Sequence, residues 1–528
     1  MILELVLKFA KKHPWLVTLN ILMMVFSPIT EVLLPYMYGK MINDIMGDKA
    51  MFTLGTLVVV LLIVQIGQLM RDKINEKIIP SLESFIKIEL VDIILKKHST
   101  SFDELTTGEI IYKMTKVPDI ILYWFQSFND YIIPYLFVFV TALIYFASFD
   151  KAIMVGFIVF LIVLISIFLY TPKACMSHSK KNDEIFTKIH DKIEDIIHNM
   201  PTVYTSNSKS YELDRLYEHA KNYTDKFSST AMCARKFKVL MVPVITILIM
   251  FFVLRSRFLL KEKIVSKEMF VSMFVVLTSM ISSIFWVVDI MRYSVFDIGC
   301  VSNMDEMLMT SLSTKRQSMS QPAPKNIIGL TNVSFSYGSK KILDNVSIDF
   351  PEGKTTVLLG NVGTGKTTIL KLLLGFYVPQ SGDVYLNGKW YNDLKINDVR
   401  AYIGYVPQNP VLFNNTVLYN VTYGNGTKPA IVVQLLRSIG LDPGFLNKQV
   451  GKNGMYLSGG QRQIIWCLRI LLKNPNVLIM DEPTASMDKA TKDSLLKLLT
   501  TIMKGRTVIM VTHDPYLASH AENKINIS

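Results

Sequence analysis

Six strongly apolar stretches crowd the first 310 residues: Trp15–Tyr36, Phe52–Met70, Tyr131–Phe149, Ile153–Tyr170, Val239–Leu260 and Phe270–Val288. Each supplies about the 20 residues that a helix needs to cross a hydrocarbon layer about 30 Å thick. One such run alone could be a buried helix of a soluble protein, but six in one region call for a polytopic helical membrane domain over residues 1–310. The first run begins too near the N-terminus for a separate signal. It continues through Glu31, Pro35 and Tyr36 without a small-residue cleavage site, so a retained helix is expected. Lys8, Lys11 and Lys12 precede it, and the long segments after the second and fourth spans are rich in Lys, which places the N-terminus and both loops on the cytoplasmic side. Arg255, Arg257, Lys261, Lys263 and Lys267 gather around the fifth turn, on the opposite side, and run against that rule; Glu262 and Glu268 partly offset them.

The long loops, Arg71–Gln126 and Lys173–Lys238, keep apolar residues at helical spacing, so the spans are expected to continue as helices well beyond the lipid. Residues 311–325 are polar and Ser-rich and contain Pro322, the composition of a linker. From residue 326 to 528 strand-like runs appear at Ile327–Tyr337, Ile342–Phe350, Thr355–Leu359, Asp383–Leu386, Tyr402–Val406, Val477–Met480 and Thr507–Val511, with helical segments among the later ones. This is an α/β domain.

Within it, Gly360-Asn361-Val362-Gly363-Thr364-Gly365-Lys366-Thr367 is a complete G-x-x-x-x-G-K-[ST] loop, set between an apolar strand and a helix that starts at Thr368. Glycines let successive backbone N–H groups close around phosphate oxygens, and the helix N-terminus adds favourable potential. Lys366 reaches the β- and γ-phosphates of ATP, the Thr367 hydroxyl suits magnesium, and Thr368 completes the binding set. The apolar run Val477–Met480 ends in Asp481 and Glu482, two carboxylates where a magnesium nucleotide needs them, Asp481 behind the metal and Glu482 placed to orient or deprotonate water. About 90 residues after the loop stands Leu457-Ser458-Gly459-Gly460-Gln461-Arg462-Gln463, ahead of a helix read as Gln463–Leu472. Ser458 and the N–H groups of Gly459 and Gly460 form a second anion cradle, and Gln461 is counted in the nucleotide-binding set.

With these motifs in this order the chain closely resembles a half-transporter of the ABC exporter superfamily: six-span membrane domain first, one P-loop nucleotide-binding domain after it. The likeness is strongest over Val333–Asp514 and weaker in the membrane half. There, Phe102-Asp103-Glu104-Leu105-Thr106-Thr107-Gly108-Glu109-Ile110 resembles the F-D-x-x-x-T-G-E segment before the first coupling helix. Thr202–Tyr204 with Tyr211–Arg215 falls where the second loop carries its own coupling helix. The resemblance implies that Tyr337 stacks on adenine, that Gln408 reaches magnesium and the attacking water, and that His513 contacts the γ-phosphate. It implies too that Ser458 and its glycines cap the nucleotide of the opposite subunit across a crossing loop at Ser486, Met487 and Asp488. Both halves of the site are intact, so a homodimer suffices, and a heterodimer with another half-transporter is the alternative. In place of the acidic residues usual before the signature, this chain has Gln449 and Lys452, a difference that bears on coupling to the membrane domain.

The formal net charge of +13 is concentrated after residue 320, where 22 Lys and Arg face 13 Asp and Glu. That suits a domain binding an anionic nucleotide beside an anionic leaflet, and no basic helix with interleaved aromatics argues for nucleic acid. Cys175, Cys233, Cys300 and Cys467 show no C-x-x-C spacing and are expected as unpaired thiols. Within the spans, Glu31 and Asp289, with Asn20 and Trp286, are candidates for a substrate path. The function expected is ATP-driven export by alternating access. An importer of the same fold and a non-transport regulatory or assembly subunit are the rivals; a soluble ATPase of translation or DNA repair is excluded by the spans.

Overall fold

The structure, a computed structural model, describes residues 2–24, 37, 41, 50–100, 107–310, 323–324, 326–361, 363–424, 426, 428–484 and 489–527. Glu31, Glu104 and its neighbours up to Thr106, most of the expected linker, Val362 and the loop Ser486, Met487 and Asp488 lie outside these residues. Two compact units result: Met1–Lys97 with Glu104–Ser311, and His98–Asp103 with Leu312–Ser528.

The described residues of the first unit form helices: α1 (Ile2–Lys12), α2 (Pro14–Met23), α3 (Ala50–Lys97), α4 (Thr107–Ser127), α5 (Ile133–Ala147), α6 (Lys151–His198), α7 (Met200–Thr205), α8 (Lys209–Lys261) and α9 (Lys267–Thr310). A π-helical turn, Phe128–Ile132, joins α4 to α5. Among the described residues, five helices are long and apolar enough to cross a membrane, and the shorter apolar helix Pro14–Met23 occupies the start of the first expected span. At about 1.5 Å per residue, the 48 residues of α6 reach about 72 Å, more than twice the thickness of a hydrocarbon layer, so the spans do continue as helices far past it. Asp150 caps α6 by accepting from the Ala152 and Ile153 N–H groups. It also pairs with Arg255 at 2.6 Å, which neutralises one charge of the basic cluster at the fifth turn.

Helices α6 and α9 approach closely because Gly299 faces Ser179: a Cβ there would lie 2.3 Å from the Ser179 carbonyl carbon. The Ser179 hydroxyl accepts from the Gly299 N–H and donates to the Phe296 carbonyl. Cys175 and Cys233 are joined in a disulfide, contrary to the expectation of four unpaired thiols. They stand 58 residues apart in sequence, but α6 and α8 run side by side and bring their Cα atoms to 5.9 Å. Cys300 and Cys467 are free and buried.

In the second unit, β1 (Ile328–Tyr337), β2 (Lys340–Phe350), β4 (Ser381–Leu386) and β5 (Lys389–Trp390) form an antiparallel sheet in the order β2-β1-β4-β5. The other sheet is parallel, in the order β6-β7-β8-β3-β9, from β3 (Thr355–Leu359), β6 (Ile403–Val406), β7 (Val477–Asp481), β8 (Thr507–Val511) and β9 (Asn523–Asn526). Its central strands β7 and β8 read as apolar runs because both faces are covered. Val477, Ile479, Ile509 and Val511 enter one core, while Leu478, Met480, Val508 and Met510 enter the other. Helices α10 (Lys366–Leu373), α11 (Ile396–Tyr402), α12 (Val417–Thr422), α13 (Pro429–Ser438), α14 (Gly459–Lys473), α15 (Lys489–Met503) and α16 (Pro515–Ser519) complete the unit. The turn His98–Thr100 groups with it, and Arg400 donates to the Ser99 carbonyl.

Candidate functional site

The site gathers at the carboxyl ends of the parallel strands, where ligands of open α/β sheets bind. Strand β3 delivers the loop from Gly360. Gly363 and Gly365 take φ of 88° and 90°, left-handed values that favour glycine, and a Cβ on Gly363 would meet nothing within 4 Å. Gly365 then caps α10. The first-turn N–H groups of Lys366, Thr367 and Thr368 have no carbonyl within the helix to bond, so they are donors for an anion. Lys366 Nζ lies across the loop, donating at 2.8 Å to the carbonyls of Gly360 and Asn361. Thr364 also donates to the Asn361 carbonyl, and Val362 is outside the described residues.

Strand β7 ends on Asp481, and Glu482 follows it. Burial pushes the Asp481 carboxyl above its ordinary range; a hydrogen bond with Thr367 pulls the other way, and neighbouring Glu482 adds to the rise. Glu482 has φ of 43°, a left-handed value rare in a non-glycine residue, with its N–H fixed to the Val511 carbonyl at 2.8 Å. Two other strand ends meet on its carboxylate. Gln408, just after β6, donates Nε2 to Glu482 Oε2 at 3.0 Å, and His513 Nε2, just after β8, stands 3.7 Å from Oε1. Three segments distant in sequence thus converge on one carboxylate. Thr367, Gln408, Asp481 and Glu482 offer the hard oxygen donors that suit magnesium.

Tyr337, at the end of β1, is 39% exposed and packs edge-on against Phe335 and Tyr377, leaving an aromatic surface beside the loop-bearing core. The signature segment starts its helix at Gly459, four residues before the expected Gln463, because Ser458 is its N-cap. The Ser458 hydroxyl accepts from the Gln461 N–H at 3.2 Å, and the Gln461 side chain accepts from the Ser458 N–H at 3.2 Å. Lys452 is exposed on the turn before it and, among the described residues, forms no ion pair.

In the helical unit, Asp289 pairs with Lys238 at 2.7 Å and lies 3.9 Å from Arg292, so its charge is already committed. Trp286 stacks on Tyr131, and Asn20 donates to Asn75. Sequence reasoning missed a buried pair, Lys113 with Asp183, 1% and 3% exposed. Asn303 and Tyr112 also donate to the Asp183 carboxylate, at 2.7 and 3.2 Å. No local pattern marks it, since its members come from α4, α6 and α9.

Comparison with known proteins places both units. The ABC transporter transmembrane region matches residues 17–288, more than half of the chain, and the ABC transporter domain matches residues 343–485. The chain belongs to the ABC transporter family. It is thus a multi-pass integral membrane protein with an ATP-binding domain. Among relatives of this ABC transporter, the mitochondrial "Iron-sulfur clusters transporter ABCB7" of Homo sapiens is 38% identical over 194 residues, which cover 35% of this chain and 26% of that protein. A "Putative export ATP-binding/permease protein" of Rickettsia bellii is 35% identical over 211 residues, 38% of this chain and 37% of that one. The chain therefore matches about a quarter to two-fifths of the length of these curated relatives. A bacterial Atm1-family ABC exporter with ATP bound shares the fold, with a TM-score of 0.78 at 21% identity over 97% of this chain and 93% of that one.

Proposed function

We propose that this ABC transporter is one half of an ATP-driven exporter, with residues 1–310 as the membrane domain, 311–325 as the linker and 326–528 as a cytoplasmic ATPase. Convergence of Gln408 and His513 on Glu482 at the end of β7 is the observation that carries the reading. Glu482 acts as general base, Gln408 orients the attacking water, and His513 steadies the γ-phosphate. Lys366 and the N–H groups of the loop through Thr368 hold the phosphates, and Tyr337 receives the adenine. Thr367 and Gln408 would hold magnesium, with Asp481 behind them; when bound, the metal neutralises charge on the phosphate oxygens. The Ser458 hydroxyl and the N–H groups of Gly459 and Gly460, held by the cap that Gln461 forms with Ser458, present donors at the start of α14 that close the site of a second copy. ATP binding favours the joined dimer, the cavity opens outward, and hydrolysis resets it.

Two cysteines here are buried and two are paired, and no group of three or more His, Cys, Asp or Glu among the described residues is placed to hold a metal ion.

The test is Glu482→Gln. It removes the base and keeps every phosphate contact, so hydrolysis should fall by about a hundredfold or more while ATP binding stays within about twofold of wild type. Unchanged turnover would refute the assignment of Glu482.

A further inference from the structure

Helix α8 crosses the lipid with two unlike faces. Met241, Ile245, Leu248, Phe252 and Leu259 are buried in the apolar core that α8 shares with α5, α6 and α9. On the opposite face Ile247, Met250, Leu254 and Phe258, spaced three or four residues apart, are 46–63% exposed. That apolar stripe ends in cations. Arg257 and Lys261 continue it at the same spacing, and Lys263 and Lys267 follow at the turn into α9; all four are exposed. Among the described residues none of the four forms an ion pair. They outnumber the acids of the turn, Glu262 and Glu268, two to one. Arg255 is already engaged, for its guanidinium pairs with Asp150 at 2.6 Å and lies 5.0 Å over the Phe258 ring.

The chain enters the span Val239–Leu260 from the Lys-rich segment Lys173–Lys238, so the turn lies at the other face of the bilayer. Lys and Arg are sparse on that side of polytopic proteins, and four cations without a partner in their own chain call for one from outside it. Their depth selects the partner. Long basic side chains at the end of a spanning helix reach the headgroup level, and the stripe below them lies at the level of acyl chains. A zwitterionic headgroup would bring a further cation to the cluster, and a soluble anion would meet the cations without the stripe. An anionic headgroup on two hydrocarbon chains meets both.

We propose that this face of α8 binds an anionic phospholipid from the leaflet away from the long loops. The phosphate sits between Arg257 and Lys261, an acyl chain lies along Phe258, Leu254 and Met250, and Lys263 and Lys267 add positive potential. Binding requires neither nucleotide nor turnover, so the inference stands apart from the transport reading.

The experiment uses the full chain in phosphatidylcholine nanodiscs containing a trace of photoreactive phospholipid, with a diazirine on the acyl chain close to the glycerol. The probe is phosphatidylglycerol in one sample and phosphatidylcholine with the same acyl chains in the other. After illumination, adducts are mapped by peptide mass spectrometry. The phosphatidylglycerol probe should label residues 247–271 about tenfold more than the phosphatidylcholine probe, the effect of roughly one or two cations near the surface. Combining Arg257→Gln, Lys261→Gln, Lys263→Gln and Lys267→Gln should bring the two probes to equal labelling and leave the phosphatidylcholine adducts unchanged. Should that variant fail to fold, Lys261→Glu alone should cut the excess at least about threefold. Equal labelling of the wild type, an excess that survives either variant, or an excess removed by inorganic phosphate at constant ionic strength, which would mark a site for free anions, would each overturn the proposal. So would the absence of adducts from both probes in residues 247–261, which would show this face covered by a second copy of the chain.

Discussion

Lys113 and Asp183 show what a single pair of residues contributes. Both charges are taken out of water, and they are tolerated because each has a partner, with Asn303 and Tyr112 supplying further donors to the carboxylate. A buried pair adds little net stability over a well-packed apolar pair, but removing one member leaves the other charge stranded. Lys113→Met should therefore destabilise the helical unit by about 3–5 kcal/mol. Lys113→Met combined with Asp183→Leu should recover most of that loss. Thermal inactivation of the three proteins in the same detergent decides it: a double variant as weak as the single one would mean that the pair has a role beyond charge balance. Glu482 is the opposite case, a residue in which strain is kept, since its left-handed φ costs energy that the hydrogen bond to the Val511 carbonyl helps to hold. The position of Glu482 at the end of a buried strand was legible from the apolar run before it. The Lys113–Asp183 pair was not, because nothing in a single helix indicates which charged face another helix will cover.

Among elements, those with local signals were legible and those decided by neighbours were not. Strands β3, β7 and β8 announce themselves as apolar runs because both faces are buried. Strand β9, Asn523–Asn526, carries one apolar residue, Ile525, and exists because β3 offers it a paired edge. The start of α14 was misplaced by four residues because two glycines look like loop, whereas the reciprocal Ser458–Gln461 cap holds them in the first turn. The disulfide was invisible for a like reason: only the packing of α6 on α8 brings Cys175 to Cys233. Helix α16 carries a prediction of its own. Asp514 caps it, accepting from the Tyr516 and Leu517 N–H groups, and pairs with Lys492 at 2.6 Å. Burial pushes this carboxyl up, but the Lys492 hydrogen bond and the backbone donors outweigh it, so it lies below its ordinary value of 3.8. A carboxyl lowered by folding stabilises the fold above its unfolded value and loses that contribution as pH falls through the folded one. Asp514→Asn should accordingly lower the melting temperature at neutral pH and flatten its decline below about pH 4 relative to wild type. Parallel melting curves of the two proteins from pH 6 to pH 3 would show that Asp514 contributes nothing through its charge.

At the scale of the whole molecule, one chain holds one phosphate loop and one signature helix, and the proposed exporter uses them in different sites. The Ser458 side chain is engaged with the Gln461 N–H of its own helix, so the first turn of α14 is held by its own cap. Such a prebuilt anion cradle requires no rearrangement to receive a phosphate carried by another chain. Two lesions then distinguish a shared site from a private one. Lys366→Ala removes the cation that reaches the phosphates, and Ser458→Arg blocks the cradle with a bulky side chain. Each homodimer is dead at both sites. In a mixed dimer with shared sites, both lesions fall together in one site and leave the other wild type, so a one-to-one mixture that pairs at random, with about half its dimers mixed, should regain about a quarter of wild-type ATPase if sites work independently. With private sites every chain carries a lesion in its own site, and no activity returns. Co-purification on two different affinity tags isolates the mixed dimer, and ATPase at the parental background in that fraction would show that Ser458 serves its own chain's nucleotide or none.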